Sequence, residues 1–130
     1  MYYNKKIGYS GEDAAYQFLI SKGYSIINKN FSCKFGEVDI IALDESHSDI
    51  ELVFVEVKTR SNNNCGNPAE AVDNNKTKHI IRVAEFYTMI HKLEDINIRF
   101  DIIEIFENTS NILFINHIKN AFDYSIMYKR

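Results

Sequence analysis

The sequence predicts a mixed α/β domain in which one sheet is flanked by helices. Two observations support this fold class. Apolar residues recur at helical spacing in two separate segments, and Val- and Ile-rich runs with strand-like alternation lie between and after them. The order of helix, three strands, helix, strand and a further strand indicates a mixed sheet with helices packed on it.

The first helix is predicted over about residues 10–22. Ser10 is a suitable N-cap, and two acids follow in the first turn, where the helix dipole favours negative charge. Gly23 provides a C-terminal stop. By helical spacing, Glu12 lies along the edge of the buried stripe rather than on the outer face, which is unusual for a first-turn carboxylate.

The other elements follow from the same patterns. The predicted strands cover Tyr24–Asn28, Glu37–Leu43, Glu51–Thr59, Arg99–Phe106 and Ile112–Ile118. Asp44–Asp49 is expected to form a hairpin loop, and Ser61–Pro68 is a candidate mobile loop because it shows no periodicity. Helical spacing resumes after Pro68, where Asp73 is a candidate cap for a helix ending near His91. Residues 121–130 receive no assignment.

Length and composition indicate one domain. The chain has 130 residues, of which 45% are hydrophobic, enough for a core without disulfides or a structural metal. Its net charge of −3 argues mildly against a nucleic-acid partner, although a protein that uses acids to bind a metal can keep its basic residues local to one surface.

Cysteine spacing and hydropathy further narrow the classes of protein that the sequence fits. Cys33 and Cys65 lack zinc-site spacing and are expected to pack or remain free thiols, with a disulfide left open. Residues 1–10 lack the apolar core of a secretory signal, and no apolar run is long enough for a transmembrane helix. A cytoplasmic protein with no membrane partner is expected.

Two carboxylates and a lysine are predicted to converge on neighbouring strands. Side chains two residues apart share a strand face, so Glu56 and Lys58 lie on one face roughly 7 Å apart. A hairpin through the Asp44–Ile50 connection would place Asp39 beside Glu56. On this alternation Asp39 shares its face with Ile41 and Leu43, while the opposite face carries Val38, Ile40 and Ala42.

Two carboxylates held this close need a cation between them, because they repel each other and are costly to desolvate. Mg²⁺ prefers oxygen ligands and usually takes one or two carboxylates together with water and substrate phosphate. The predicted ligands are Asp39, Glu56, the backbone carbonyl of Val57 and, directly or through water, Glu12 and Glu37. Lys58 would orient or deprotonate a water, or stabilise developing charge.

Each of these residues also has a plain structural interpretation. An acid followed two residues later by a lysine is common as a surface ion pair, and Glu37 is equally well an exposed strand-end carboxylate. Arg60 and Lys76 are candidate phosphate contacts, with a solvated side chain as the alternative. Arg99 and Asp101 share a strand face and are expected to pair structurally.

The motifs also resemble a known family. Asp39 followed by Glu56-Val57-Lys58, in a helix–three strands–helix–strand order, is similar to the PD-(D/E)XK nuclease superfamily. More closely, the chain resembles the YraN-like family of small bacterial proteins at Gly11-Glu12 with Ala14-Ala15, Gly23-Tyr24, Asn30, Gly36–Ala42, Phe54–Arg60, Arg99–Asp101 and His117–Phe122. The resemblance spans about residues 8–122, which is the expected core of a single domain over 1–130.

This resemblance implies a restriction-endonuclease-like core, Mg²⁺ or Mn²⁺ as cofactor, and catalytic positions at Asp39, Glu56 and Lys58. Glu12 matches the first-helix acid of archaeal Holliday-junction resolvases. The chain departs from the superfamily pattern at Val38, where a proline would precede the aspartate.

The function expected from residues and resemblance together is a metal-dependent endonuclease that cuts DNA. A branched or junction substrate is implied only by analogy, and a homodimer would suit cleavage of paired strands. The alternative is a non-catalytic nucleic-acid-binding module that keeps the fold, and a third interpretation is a DNA-processing accessory that acts only with a partner chain.

Overall fold

A computed structural model describes residues 2–6, 11–61, 74–108 and 111–128 and confirms the mixed α/β prediction. In chain order the elements are β1 (Tyr2–Lys6), α1 (Gly11–Ser21), β2 (Ser25–Cys33), β3 (Gly36–Asp44), β4 (Glu51–Ser61), α2 (Asn74–Ile90), β5 (Asn97–Glu107), β6 (Asn111–Phe122) and a 3₁₀ helix (Tyr124–Tyr128). The six strands form one sheet in the spatial order β1-β6-β5-β4-β3-β2.

The sheet is mixed because α2 connects two neighbouring strands that run in the same direction. β4 and β5 are parallel, whereas the other neighbouring strands are antiparallel. Both faces of the central strands are buried. Val53 and Val55 pack in a cluster with α1, while Leu52 and Phe54 pack in a second cluster with α2. The alternation predicted for β4 is therefore confirmed.

The predicted helix ends agree with the structure wherever it describes them. Gly23 adopts a φ of 92°, and the Tyr24 amide donates to the Leu19 carbonyl at 3.0 Å, so the chain leaves α1 through a left-handed residue. The predicted loop Ser61–Pro68 is wrong at Ser61, which ends β4. The rest of that loop and the predicted caps Ser10 and Asp73 lie outside the described residues. Neither described helix has the combination of length and apolarity needed to cross a membrane.

All five predicted strands extend beyond their predicted bounds, β2 and β6 by the most, and β1 was not predicted. β2 continues to Cys33 because Asn30 takes a φ of 53°, which lets the strand turn locally and keep pairing with β3. β6 continues to Phe122, whose ring stacks on Phe100 at 5.1 Å. β1, next to β6 at one edge of the sheet, has no periodic sequence signal. β2 forms the other edge, and its pairing with β3 shifts register between Ile26 and Asn28.

A buried arginine ties three strands together at one end of the sheet. Arg99 Nη1 donates to Asp44 Oδ2 at 2.8 Å and to Glu51 Oε1 at 2.9 Å. Its Nη2 donates to Asp101 Oδ2 and to the Tyr24 hydroxyl, both at 2.8 Å. The predicted Arg99–Asp101 pair is confirmed, and Asp44, predicted as the first loop residue, instead ends β3 as a buried partner.

Asp101 has partners beyond Arg99. The ring of His117 lies with Nε2 2.7 Å from Asp101 Oδ2, and the Asn120 amide donates to Oδ1 at 2.9 Å. Burial alone would raise the pKa of Asp101, but the hydrogen bonds from His117, Arg99 and Asn120 outweigh it and hold the pKa below its usual value. The aspartate is thus stabilised in its ionised form.

Removing the arginine should destabilise the fold strongly. We expect Arg99→Met to lower the free energy of unfolding by about 3–5 kcal/mol, because it leaves buried carboxylates without a counter-charge. Arg82→Met, at an exposed position on α2, is the matched control and should change it by less than about 0.5 kcal/mol. Urea unfolding of both variants measures the difference, and equal effects would contradict the role assigned to Arg99.

The lowered pKa of Asp101 predicts acid sensitivity. A carboxyl whose pKa is lower in the folded state contributes stability above its unfolded pKa of about 3.9, and this contribution is lost as pH falls through the folded value. We expect Asp101→Asn to lose stability at pH 7 and to show a shallower decline below about pH 4.5 than the wild type. Urea titrations at several pH values test this, with exposed Glu94→Gln as a control that keeps the wild-type slope.

Candidate functional site

Asp39 and Val57 are joined across the β3–β4 ladder. The ladder pairs Ile40 with Val55, so one step further along it Asp39 reaches the level of Glu56. Asp39 Oδ2 accepts a hydrogen bond from the Val57 amide at 2.7 Å, which fixes the carboxylate at this point. The structure therefore brings Asp39 to the same end of the hairpin as Glu56.

The simple alternation predicted for β3 fails just before Asp39. Ile40 packs in the cluster on the α1 side, and Ile41 packs on the α2 side, as alternation requires. Val38, however, also packs on the α2 side, so its predicted place beside Ile40 is wrong. The change of side between Val38 and Ile40 occurs at Asp39, opposite the left-handed Asn30 in β2. Asp39 thus lies at an irregularity of the sheet.

Glu56 is buried and contacts a lysine from α2. Only 3% of its surface is exposed, and its Oε1 lies 2.6 Å from Lys76 Nζ. The contact is an ion pair and not a well-directed hydrogen bond, since Oε1 has no hydrogen-bond donor of good geometry among the described residues. Lys76, predicted as a phosphate contact, therefore lies within the acid cluster itself.

Glu12 enters the same region from the first turn of α1. A side chain at Gly11 would clash with Thr59 Oγ1, so glycine allows the start of α1 to approach β4 closely. Glu12 Oε1 is buried and has no hydrogen-bond partner in the part of the chain that the structure describes. Tyr16, one turn further along α1, has its pKa raised to about 12 by burial and by the charges of Glu12, Asp13 and Asp39.

The electrostatics of the cluster show an excess of negative charge. Burial raises the pKa of Asp39, and the charges of Glu12 and Glu56 raise it further. The Val57 amide and the Lys76 ammonium act in the opposite direction without cancelling these effects. Ionised Asp39 is therefore destabilised, and additional positive charge would stabilise it.

The remaining predicted residues differ in their surroundings. Lys58 is half-buried two residues beyond Glu56, and Glu37 is exposed. Glu37 is near enough for its charge to help raise the pKa of Lys76, after the larger effect of Glu56. Arg60 is mostly buried and pairs with Glu104, with 3.4 Å between Nη2 and Oε2, so its guanidinium already has an anionic partner.

The donor set fits a small hard cation. The described residues contain no group of three or more acid, histidine or cysteine side chains close enough to enclose a metal. Mg²⁺ does not need such a cage, because it usually keeps several waters and takes one or two carboxylates. The buried oxygens of Glu12 and Glu56 that lack hydrogen-bond donors, and the raised pKa of Asp39, are consistent with that requirement. The ligand role of the Val57 carbonyl stays a prediction.

Sequence reasoning missed two features of the cluster. It did not pair Lys76 with Glu56, since these residues are 20 positions apart and join a strand to a helix across residues that the structure leaves undescribed. It also overlooked the place of Tyr16, which packs in the core on the α1 side and whose phenol lies near enough to Glu12 to be affected by its charge. The spacing of Glu12 and Tyr16, one helical turn apart, was the available signal.

Comparison with known proteins defines the family. The sequence profile of the uncharacterised protein family UPF0102 matches residues 11–105. UPF0102 protein CPE1705 of Clostridium perfringens is 47% identical over 121 residues, which cover 92% of this chain and 96% of that protein. A UPF0102 protein of Caldicellulosiruptor saccharolyticus is 45% identical over 119 residues, covering 91% and 98%. UPF0102 protein TTE1452 of Caldanaerobacter subterraneus is 46% identical over 122 residues, covering 92% and 97%. The chain therefore belongs to the UPF0102 family, the YraN-like group that its motifs resemble.

Proposed function

We propose that this protein is a metal-dependent endonuclease that hydrolyses phosphodiester bonds in DNA on a restriction-endonuclease-like core of the PD-(D/E)XK type. The observation that carries the proposal is the convergence of acids from three elements. Asp39 is fixed by the Val57 amide, Glu56 is buried beside it, and burial together with the charges of Glu12 and Glu56 raises the pKa of Asp39. A protein gains nothing in stability from concentrating negative charge in this way, which favours a functional explanation.

Asp39 and Glu56 would hold Mg²⁺ or Mn²⁺, with Glu12, Glu37 and the Val57 carbonyl as further donors. When bound, the ion polarises the scissile phosphate and makes a nearby water a stronger acid. Asp39 is the ligand best held in place, because its hydrogen bond to the Val57 amide restricts its rotation. Fixed ligand positions reduce the reorganisation needed when substrate binds.

Lys58 supplies a cation beside these acids. It follows Glu56 by two positions on β4, so strand alternation directs both side chains to the same side of the strand. Its amino group can orient the attacking water by a hydrogen bond, or donate to the phosphate oxygen on which charge develops. Both roles require the ammonium within hydrogen-bond reach of the reacting group.

DNA contacts are proposed at Lys76, which lies beside Glu56, and at Arg60, which lies further along β4 and pairs with Glu104. With a net charge of −3, the chain as a whole does not attract a polyanion, so binding must depend on local basic groups and on the metal. Preference for branched DNA and assembly into a homodimer are further parts of the proposal, and they rest on analogy alone.

Cleavage assays with substituted residues test the catalytic role. The wild type is expected to cut linear, flapped or four-way DNA in Mg²⁺ or Mn²⁺ but not in chelator. Asp39→Asn, Glu56→Gln and Lys58→Ala should each lower the rate by at least about a hundredfold, because each removes a group that stabilises the transition state. Exposed Glu94→Gln is the control and should keep full activity.

Cleavage that survives both Asp39→Asn and Lys58→Ala would rule out this site. DNA binding that is independent of metal and occurs without cutting would instead favour the non-catalytic module. The slope with which DNA affinity falls as salt concentration rises would then give the number of phosphate contacts of that module.

The negative charge on Asp39 should lower the free energy of unfolding when no metal is present. Because its pKa is raised in the folded state, ionised Asp39 destabilises the fold above that pKa, and the cost disappears as pH falls below the unfolded value. We expect Asp39→Asn, which keeps an acceptor for the Val57 amide, to raise the free energy of unfolding at pH 7 in chelator by about 1 kcal/mol. Urea unfolding at pH 7 and near pH 3.5 measures this gain and its decrease in acid.

The same measurement with Mg²⁺ provides the metal test. Millimolar Mg²⁺ should stabilise the wild type by preferential binding to the folded state, and should leave Asp39→Asn almost unchanged. Equal stabilisation of both proteins by Mg²⁺ would show that Asp39 is not a ligand.

A further inference from the structure

The Lys76 ammonium contacts a Glu56 oxygen that the proposed metal ion would bind. Its ammonium lies 2.6 Å from Glu56 Oε1, inside a cluster that also contains Asp39 and Glu12. The interaction with Glu56, followed by the charges of Asp39 and Glu37, stabilises the charged form of Lys76. Lys76 thus provides part of the positive charge that the acids require.

The two partners in this ion pair differ in mobility. Glu56 is on the central strand β4 with its side chain 4% exposed, whereas the Lys76 side chain is 56% exposed. Lysine carries its charge on a flexible four-carbon chain, so its ammonium can leave Glu56 and reach water without rearrangement of α2. Glu56 has no comparable freedom, because it is enclosed by the packed sheet and helix.

An ammonium and a divalent cation compete at Glu56 Oε1. A carboxylate oxygen has two lone pairs, but two cations on one oxygen repel each other strongly where water has little access. Binding of the ion at this oxygen therefore favours movement of Lys76 away from it. The backbone of Lys76 stays in place when its ammonium leaves Glu56. The released ammonium therefore remains close to the cluster, where the phosphate of a substrate would lie.

We propose that Lys76 is an internal counter-ion that holds Glu56 in the metal-free protein, is displaced by the incoming divalent ion, and then becomes available to an anionic phosphate group. This inference rests on the proposed function, since it presumes that Glu56 binds metal. It adds that metal affinity is set by competition with a residue of the chain, and that Lys76 contacts phosphate only in the metal-loaded protein.

Calorimetric titration of chelator-treated protein with Mn²⁺ tests the competition. Lys76→Met should bind Mn²⁺ about 10- to 100-fold more tightly than the wild type, because the ion no longer has to displace an ammonium paired with a buried carboxylate. Lys76→Arg should bind like the wild type, because arginine can retain the pair. Arg82→Met, an equal loss of charge further along α2, should alter affinity by less than about twofold, since salt screens the more distant charge.

A crystal structure of the wild type grown with Mn²⁺ tests the displacement itself. We expect Lys76 Nζ to lie beyond ion-pair distance from Glu56 when the anomalous signal places Mn²⁺ there. Mn²⁺ at Glu56 with Lys76 still paired to it would overturn the inference, because the affinity gain of Lys76→Met would then reflect repulsion alone.

The outcomes separate this inference from the proposed function. Equal Mn²⁺ affinity in the wild type and Lys76→Met would overturn the counter-ion role and leave the metal site intact. Absence of Mn²⁺ binding in both proteins would overturn both proposals. Binding that is lost in Glu56→Gln and strengthened in Lys76→Met would support both.

Discussion

The structure around the candidate site depends on one electrostatic constraint, which is that several carboxylates are held together where water has little access. Glu56 is buried, Asp39 is tied to a backbone amide, and an oxygen of Glu12 lacks a hydrogen-bond donor among the described residues. Each acid raises the cost of ionising its neighbours. The cluster persists because the sheet and two helices fix its members through apolar packing that is much larger than the local repulsion.

Both ends of the β3–β4 hairpin hold acids, but their negative charge is balanced in different ways. At one end, Arg99 provides hydrogen bonds to Asp44, Glu51 and Asp101, so every one of these acids has a cationic partner. At the other end, Glu56 is paired with Lys76, whose side chain is mostly exposed. The first arrangement suits a structural role. The second leaves negative charge that is only partly neutralised and that a cationic ligand can neutralise.

Most of the fold and the proximity of Asp39 to Glu56 could be predicted from the sequence. Helical and strand periodicity located α1, β3, β4, α2 and β5, and the short β3–β4 connection was enough to bring Asp39 beside Glu56. The errors arose where a local conformation departs from the regular pattern. Asn30 in the left-handed region looks like the end of a strand in sequence, yet β2 continues through it, and Val38 changes side at an irregularity that no periodicity rule anticipates. The pairing of Lys76 with Glu56 depends on tertiary placement of α2, which residue spacing does not encode.

The interrupted pairing of β2 has a consequence for association between molecules. An edge strand exposes backbone donors and acceptors that a second chain can extend into a larger sheet, and a flat, regular edge is the most susceptible. In β2, the register shift between Ile26 and Asn28 and the left-handed Asn30 disturb the spacing of those groups, and exposed Lys29 adds charge between them. This edge is therefore a poor template for a continuous intermolecular sheet. A two-fold assembly of this protein should therefore use a surface other than the β2 edge.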